Sequence, residues 1–564
     1  MSASALEVQQ VKWGFDGLAV PGRFNLLSVL VANSSTEPFD GTVTFYKSRG
    51  LSDRAGALYA APCYVSPLTA RWVQFYVYID NQYDQWRLEW GRGSDDRHDL
   101  EPPKWGPPAQ VILADSEIVS AISTFRQFPD ELFPPTAAAT SGLDTLLLDH
   151  VPRWEPAKRQ ALLRWLRAGG KLHVLLGPDG RYPVFSDELS VLNSIDEQTR
   201  IGAGFAVRHA VTAAQIRKQD IGESEAPKKT KPEDSNAVYQ TTNTLLAALA
   251  RLSHARLNWG LIYLMAFVYL ALVGPGNLVA GRRFADYRLR IGLLIATVAV
   301  FAWLFNLVGR RGQGEASVVH TLSYARAIDG NDYDVMQWIN VFATRGGHYT
   351  ITHTAPHNIY SSGQDYEAVN GFIESGKNGK FAVDIPMFSR RGFLHEAEMK
   401  GADIGVKIVN WDGTNTLRKL TLTAQPDFTK QILDGWLVQG DQVYAMKLTN
   451  GQIQFEDSGK QSLSASLTSS DPQQAAFIYG SPYDNDDADP DVEKEFRKLA
   501  KPLIAWSLGV MGPKDVETAH PATDGRVQLF LFAHSPESFS ITGPHFGREI
   551  GFVLYRLDLF KPGS

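Results

Sequence analysis

The chain has 564 residues, of which 44% are hydrophobic and 21% charged, and its formal net charge is −6. This length exceeds what one hydrophobic core accommodates, so several domains are expected. The negative charge argues against a nucleic-acid partner. The single cysteine, Cys63, excludes an intrachain disulfide, a cysteine-rich zinc site and a CxxC redox pair.

Residues 1–105 have the pattern of an immunoglobulin-like β-sandwich. Four segments are rich in Val, Phe, Tyr and Trp, namely VKWGF, FNLLSVLVANS, GTVTFYK and RWVQFYVYI. Turn residues such as Asp16-Gly17 and Asp40-Gly41 separate several of them. Short strands at this spacing are typical of a sandwich. The proline-rich segment EPPKWGPP, at 101–108, marks a domain boundary.

Residues 109–212 change to the pattern of an α/β layer domain. The apolar runs AQVILAD and LDTLLLD, which end at Asp115 and Asp149, and KLHVLLG predict strands, while EIVSAISTFR and PAKRQALLRWLRAGG predict helices. Such alternation indicates a parallel sheet covered by helices. Ligands of these sheets bind at the carboxyl ends of the strands, which makes Asp115 and Asp149 candidate cleft residues. The alternative is that both only end their strands in turns.

Two uncharged stretches follow, at 257–281 and 291–309, and each is long enough to cross a bilayer. The charged segment before them, 213–240, predicts a flexible loop. Residues 241–256 predict a helix that leads into the membrane. The chain therefore contains a predicted transmembrane helical hairpin.

The short loop between the two spans, 282–290, is rich in arginine. Its arginines are Arg282, Arg283, Arg288 and Arg290. Positive charge keeps short loops in the cytoplasm, which predicts extracytoplasmic N- and C-terminal regions at a bacterial inner membrane. Export of the N-terminal region requires a signal that MSASALEVQQVKW lacks. We expect a signal or anchor upstream of this sequence, and the inverted topology is the alternative.

Residues 316–475 return to β patterning and predict a second β-sandwich domain. Its candidate strands include HYTITHT, GKFAVDI, IGVKIVNWDG, TLRKLTLTA and QVYAMKLTN. Residues 476–564 predict a C-terminal α/β segment that packs on the preceding domains. Within it, 491–508 has a helical pattern despite Pro502, and VQLFLFAHS and EIGFVLYRLDLF predict strands.

Catalytic and ligand-binding motifs are incomplete along the chain, so no catalytic, cofactor or metal residue is assigned. The segment 371–377 has P-loop glycine and lysine spacing, but Asn378 replaces the magnesium-binding Ser or Thr. His395-Glu396 lacks the second histidine of a helical zinc-protease motif. His348, His353 and His357 are predicted to be surface histidines, with a metal site as the alternative. The acidic run 484–493 does not have EF-hand spacing and predicts a solvated turn before a helix, with a calcium site as the alternative.

The order of these parts resembles a group of bacterial membrane proteins common in planctomycetes. Three stretches carry the resemblance: FDGLAVPGRFNLLSVLVANSS, LLRWLRAGGKLHVLLG and YLALVGPGNLVAGRR. It implies a fold like that of class I glutamine amidotransferases for the α/β domain. Those enzymes use a catalytic cysteine in this domain, and the only cysteine here, Cys63, lies outside it. The resemblance also implies partners, either membrane proteins with von Willebrand A domains or a MoxR-type AAA ATPase system.

The leading functional hypothesis is a non-enzymatic scaffold or interaction subunit of the bacterial envelope. An enzyme or ligand sensor that uses the α/β cleft is one alternative, and a polar pocket at the strand ends would favour it. An accessory subunit of a membrane transporter is another, and a hairpin face lined by Gly and Ala would favour that.

Overall fold

The computed structural model describes most of the chain as a set of β-sheets, one α/β layer and a helical hairpin. The described residues are 6–49, 53–91, 93, 95–115, 123–195, 198–221, 235–252, 259–283, 287–311, 317–363, 367–413, 417–449, 451–468, 491–509, 526–543 and 546–561.

The N-terminal region consists of strands in two facing sheets. The strands are β1 (Leu6–Trp13), β2 (Arg23–Asn33), β3 (Phe39–Arg49), β4 (Asp53–Val65), β5 (Ala70–Ile79), β6 (Gln85–Glu89) and β7 (Arg97–Leu100). Strands β1, β2 and β5 form one antiparallel sheet, and the others belong to a second. Buried aromatic side chains fill the space between them, and the rings of Phe45 and Trp86 stack with centroids 4.8 Å apart.

The second of these sheets continues into strands that lie after the hairpin in sequence. These are β16 (Gly347–Ile351), β18 (Ala368–Glu374) and β19 (Lys380–Ile385). The sheet has seven strands in the order β16-β19-β18-β4-β3-β6-β7, and β4 pairs in parallel with β18. Phe372 lies opposite Leu58 in this register. The predicted regions 1–105 and 316–475 therefore share one sheet.

The α/β layer has a mostly parallel sheet. Its elements are β8 (Ala109–Ala114), β9 (Arg126–Pro129), β10 (Leu143–Leu148), α1 (Pro156–Arg167), β11 (Lys171–Leu176), β12 (Gln198–Ile201) and β13 (Gly204–Thr212). The strand order is β12-β13-β11-β10-β8-β9, and only β12 is antiparallel. Much of the helix predicted at 117–126 falls outside the described residues, and Arg126 itself belongs to β9.

Helix α1 packs its apolar face on this sheet. Pro156 occupies the first turn, where a missing N–H leaves no intrahelical bond unmade. Leu162 and Leu166 are fully buried. The helix ends at a glycine pair, and a Cβ on Gly170 would lie 2.4 Å from the ring of Trp165. Only glycine fits this close approach.

Helix α2 (Ser235–Leu252) corrects the predicted boundary between the loop at 213–240 and the helix at 241–256. Its first six residues lie inside the predicted loop. The prediction followed the charged composition upstream, whereas the helix is held by apolar side chains such as Leu245 and Leu249, both fully buried. Tyr78 and Thr242 share a hydrogen bond of 2.9 Å between their hydroxyls, which joins α2 to strand β5.

The hairpin contains α3 (Trp259–Ala271), a π-helical turn (Leu272–Gly276), α4 (Asn277–Arg283) and α5 (Tyr287–Arg311). The wider π turn accommodates Pro275, which has no N–H to donate. The segments Gly260–Val279 and Tyr287–Phe305 are long and apolar enough to cross a membrane.

The predicted arginine loop at 282–290 is largely helical, which is a correction. Arg282 and Arg283 lie in the last turn of α4, while Arg288 and Arg290 lie in the first turns of α5. Arginine has a high helix propensity, so a helix does not have to end where its apolar run ends. The second helix likewise extends beyond the predicted 291–309 at both ends.

A nine-stranded sheet forms the centre of the remaining molecule. Its strands are β14 (Val318–Asp329), β15 (Asp332–Ala343), β17 (Asn358–Ser362), β20 (Ser389–Lys400), β23 (Ile432–Gln439), β24 (Gln442–Ala445), β27 (Lys460–Ser462), β28 (Val527–His534) and β29 (Arg548–Leu559). The order is β17-β20-β15-β14-β29-β28-β23-β24-β27. The predicted boundary at residue 475 therefore falls within this sheet, because β28 and β29 are central strands of it.

Smaller elements complete the fold. A four-stranded sheet contains β21 (Lys407–Gly413), β22 (Leu417–Thr423), β25 (Lys447–Thr449) and β26 (Gln452–Glu456). Short helices are α6 (Pro426–Thr429), α7 (Leu463–Thr468), α8 (Val492–Lys498) and α9 (Ala500–Ser507). The helix predicted at 491–508 is thus two helices with a break at Leu499. Pro502 is the third residue of α9, within the first turn, where proline is tolerated.

Candidate functional site

Three neighbouring parallel strands of the α/β layer place acidic residues at one edge of the sheet. Asp115 follows β8, Asp130 follows β9, and Asp149 follows β10. The carboxyl ends of adjacent parallel strands meet at the same edge, which is where ligands of open α/β sheets bind. We call the pocket at this edge, which Asp115, Asp130 and Lys158 line, the strand-end cleft, and Asp149 and His150 adjoin it.

His150 lies between two of these carboxylates. Its Nδ1 is 2.8 Å from Asp149 Oδ1, and its Nε2 is 3.7 Å from Asp130 Oδ2. The second distance is too long for a direct hydrogen bond. Burial lowers the pKa of His150, but the two carboxylates outweigh burial and raise the pKa to about 9. His150 is therefore an imidazolium at neutral pH.

The cleft encloses about 310 Å³ and has a polar lining of Asp115, Asp130, Glu131, Arg153, Trp154, Glu155 and Lys158. The buried indole of Trp154 forms part of its wall and donates from Nε1 to the Asp130 carbonyl over 2.8 Å. Lys158 Nζ donates to the Glu131 carbonyl over 2.5 Å. Burial lowers the pKa of Lys158, while the nearby carboxylates oppose this.

The charged side chains that line the cleft can recognise a charged ligand. The raised pKa of His150, about 9, keeps most of the imidazole protonated at neutral pH, where it can donate a hydrogen bond. None of the described residues that line the cleft is Ser, Thr or Cys, the usual covalent nucleophiles. Among the described residues, no group of three or more His, Cys, Asp or Glu side chains is placed to hold a metal ion.

The two candidates from the sequence, Asp115 and Asp149, have different roles at this edge. Asp115 lines the cleft, whereas Asp149 stands behind it and binds His150. Sequence reasoning missed His150 and Asp130. The residue after Asp149 could have been found because it extends the same strand end. Asp130 could not, because the four-residue strand β9 has no apolar run to reveal it.

A second region contains charged groups that are mostly buried. We call it the junction, and it consists of Arg23, Arg164, Glu396, Glu398 and Trp506. Glu398 is ion-paired with Arg164 and accepts a hydrogen bond of 2.9 Å from the Ala137 amide. Glu396 accepts one of 2.7 Å from Ser141. The N-terminal strands, the α/β layer and the nine-stranded sheet meet here.

Burial dominates the electrostatics of the junction. Glu396 is only 6% exposed. Burial raises the pKa of Glu396 to about 8, and the Asp334 carboxylate adds to the rise. Trp506 packs edge-on against Trp338 at 4.8 Å between ring centroids, and the Arg23 guanidinium lies 3.9 Å from the Trp506 ring centroid. The residues of the junction therefore join three parts of the fold.

The three histidines His348, His353 and His357 differ in exposure, and His357 is half-buried. His348 is exposed and lies 2.9 Å from Asp384, as a surface histidine would. His353 is buried, contrary to the surface prediction, and its ring stacks on His395 at 3.8 Å. Strand β20 carries His395, so the helical zinc-motif geometry does not exist there. Burial lowers the pKa of His353 to about 3, which keeps that ring neutral.

Comparisons with known proteins add no family to this description. No family model matches the chain. No curated protein matches it. Among solved structures, a cycloisomaltooligosaccharide glucanotransferase of Paenibacillus sp. complexed with cycloisomaltoheptaose is 7% identical, with 81% of this chain and 98% of that chain covered, at a TM-score of 0.16. A TM-score this low does not indicate a common fold.

Proposed function

We propose that the protein is a two-pass protein of the bacterial inner membrane that acts as a non-enzymatic scaffold or interaction subunit. The observation that carries the proposal is the apolar surface of the hairpin. Large side chains such as Phe267, Leu270 and Trp303 are more than 60% exposed, although they belong to the most apolar helices of the chain. Exposed apolar surface of this extent is suited to lipid.

The pairing of β4 with β18 supports two crossings. These strands precede and follow the hairpin, and they share one sheet. Both flanks must then lie on the same side of a membrane, which requires an even number of crossings between them. The arginines at the hairpin turn favour an extracytoplasmic location for both flanks.

A scaffold function agrees with the closed junction. The N-terminal strands, the α/β layer and the nine-stranded sheet are connected by Arg164, Glu398 and Trp506, so they present one body to partners. By the resemblance stated above, we propose an immunoglobulin-like N-terminal region, an amidotransferase-like α/β layer without its cysteine, and partners with von Willebrand A domains or of the MoxR-type ATPase system. Most exposed hairpin side chains are large, which favours lipid contact. Helix α5 also exposes Gly292, Ala296, Ala299 and Ala302, so the small-residue face expected of a transporter subunit keeps that function as an alternative.

A second candidate function is ligand sensing at the strand-end cleft. The observation that favours it is the convergence of the carboxylates of Asp115 and Asp130 with the cationic side chain of Lys158 in one pocket at the sheet edge. Ligands with both positive and negative groups fit this mixture of charges. Thermal-shift screening of amino acids and other zwitterions against the wild type and Lys158→Met tests it. A shift that Lys158→Met abolishes supports sensing, and no shift at millimolar concentrations contradicts it.

Topology is the decisive test of the first proposal. Single cysteines would be introduced into a Cys63→Ser background at exposed positions on each flank, Val184 and Val409, and at Tyr287 in the hairpin turn. A membrane-impermeant maleimide should label both flank positions in intact spheroplasts and position 287 only after lysis. Labelling of the flanks only after lysis would invert the proposed orientation. Recovery of all three single-cysteine variants in the soluble fraction would overturn the membrane assignment.

A further inference from the structure

The turn between β19 and β20 exposes two large apolar side chains. Met387 is 63% exposed and Phe388 is 61% exposed. Phe388 also has a φ of +53°, a left-handed conformation that bulky residues rarely adopt. We call Pro386, Met387 and Phe388 the apolar tip. The side chains of Met387 and Phe388 are exposed, whereas the neighbouring Ile385 is buried in the core.

The apolar tip lies at the end of the nine-stranded sheet where the chain arrives from the hairpin. Ser389, directly after the tip, pairs with Ala343, and the next residue, Thr344, lies 3.2 Å from Ser317 between hydroxyl oxygens. Helix α5 ends at Arg311, six residues before Ser317. Six residues span at most ~22 Å. The end of the second apolar helix therefore lies within ~22 Å of Ser317, which is at the same end of the sheet as the tip.

The helix that leads into the hairpin approaches the same end of the sheet. Leu246 of α2 lies against Gly363, where an added Cβ would be 2.6 Å from Leu246 Cδ1. The Gly363 amide donates to the Gly392 carbonyl over 3.0 Å, three residues from Ser389. Helix α2 therefore contacts the sheet near the same end as the apolar tip.

Arginines lie on both sides of the tip, although Arg391 is ion-paired with Glu367 over 2.6 Å. Arg345 is exposed in the adjacent turn, where the Gly346 position lies beside the Met387 amide, 2.8 Å from an added Cβ. Arg390 and Arg391 follow the tip after Ser389. Apolar side chains flanked by arginine are the composition with which peripheral segments bind anionic lipid surfaces.

We propose that the apolar tip inserts into the interface of the same bilayer that the hairpin crosses. The partner is a lipid surface, and the argument is continuity with the hairpin, which provides the neighbouring apolar surface. This inference rests on the proposed membrane location. Insertion adds a third point of contact, besides the two helices, and fixes the tilt of the sheets relative to the membrane.

Depth-dependent fluorescence tests the proposal in the full chain. Phe388→Cys in a Cys63→Ser background would carry an NBD label in proteoliposomes of phosphatidylcholine and phosphatidylglycerol, with brominated lipid as quencher. The matched control is Asn378→Cys in the turn at the opposite end of β19, ~20 Å along the strand. Phe267→Cys in α3 reports insertion of the hairpin itself.

Quenching at 267 and 388, but not at 378, is the expected result. Quenching at 267 alone overturns the apolar-tip proposal and leaves the membrane proposal intact. No quenching at 267 overturns both. Equal quenching at 378 and 388 also overturns the tip proposal, because it would show contact that does not depend on the apolar tip.

Discussion

The junction and the strand-end cleft contain the same kinds of charged groups but differ in what covers them. Glu396 and Glu398 of the junction are enclosed between the α/β layer and the nine-stranded sheet, and each has a partner from the layer. In the cleft, Glu131 and Arg153 remain exposed. Buried groups paired across an interface join parts of the molecule, whereas charged side chains left exposed can bind a ligand. The type of residue alone does not distinguish the two.

Trp506→Ala is the substitution in the junction with the largest expected effect on stability. The substitution removes the packing on Trp338 and Tyr324 and the hydrogen bond of 3.2 Å from the indole to the Gly22 carbonyl. We expect a loss of about 3–5 kcal/mol in the free energy of unfolding, measured by denaturant titration in detergent. The exposed residue Val184, changed to Ala, is the control. A loss below about 1 kcal/mol for Trp506→Ala would break the comparison, since the junction would then not hold the parts together.

Glu396→Gln tests how the buried carboxyl group of Glu396 makes stability depend on pH. The pKa of Glu396 in the folded protein is about 8, above that of the unfolded chain, so folding takes up a proton between these values. The wild type should lose stability as pH rises from 5 through 8, and Glu396→Gln should avoid about 2 kcal/mol of that loss. Thermal unfolding across this range measures it, with exposed Glu37→Gln as control. Parallel curves for all three proteins would contradict the assigned burial effect.

His150→Gln tests the other region of the comparison, the strand-end cleft. The pKa of His150 is raised to about 9, so its stabilising contribution is fully present below about pH 6.5 and is lost as pH rises through 9. Below pH 6.5 the variant should be less stable than the wild type by about 1 kcal/mol, because solvent weakens the pairing. The difference should vanish near pH 9.5. The exposed pair of His348 with Asp384 provides a matched variant, His348→Gln, for which a loss of equal size would indicate a nonspecific effect.

Phe388→Asn has the smallest expected effect and extends the comparison to an open apolar surface. Asparagine tolerates positive φ better than phenylalanine, so the free energy of unfolding in detergent should rise by about 0.5 kcal/mol. Chemical denaturation of both proteins in the same detergent checks this. A destabilisation above about 1 kcal/mol would mean that Phe388 packs within the fold and is not part of an open surface.

Much of the local structure could be predicted from the sequence. The apolar runs of the hairpin and the strand runs of the α/β layer are local patterns that depend on a few consecutive residues. The pairing of β4 with β18 could not be predicted, because alternation shows that a strand has an apolar face but does not identify its neighbour. The two residues in register, Leu58 and Phe372, are separated by the whole hairpin.

The functional residues show the same limit. His395 and Glu396 form part of a motif that suggests a helix, but β20 is a strand, so successive side chains point to opposite faces. His395 consequently meets His353 on one face, while Glu396 meets Ser141 on the other. His150 approaches Asp130 because β10, β8 and β9 are neighbours in the sheet. The order of strands in a sheet cannot be predicted from the local sequence of any one of them.

The central position of β29 has a consequence for biosynthesis. Of the described strands it is the last to be synthesised, yet it lies between β14 and β28 and pairs with both along its length. Until it is made, β14 has an unpaired edge that can associate with other chains. The nine-stranded sheet therefore remains incomplete until the end of translation, and the nascent protein cannot finish folding before β29 is synthesised. Premature termination before residue 548 should yield chains that aggregate or are degraded, even though the hairpin and α/β layer are complete.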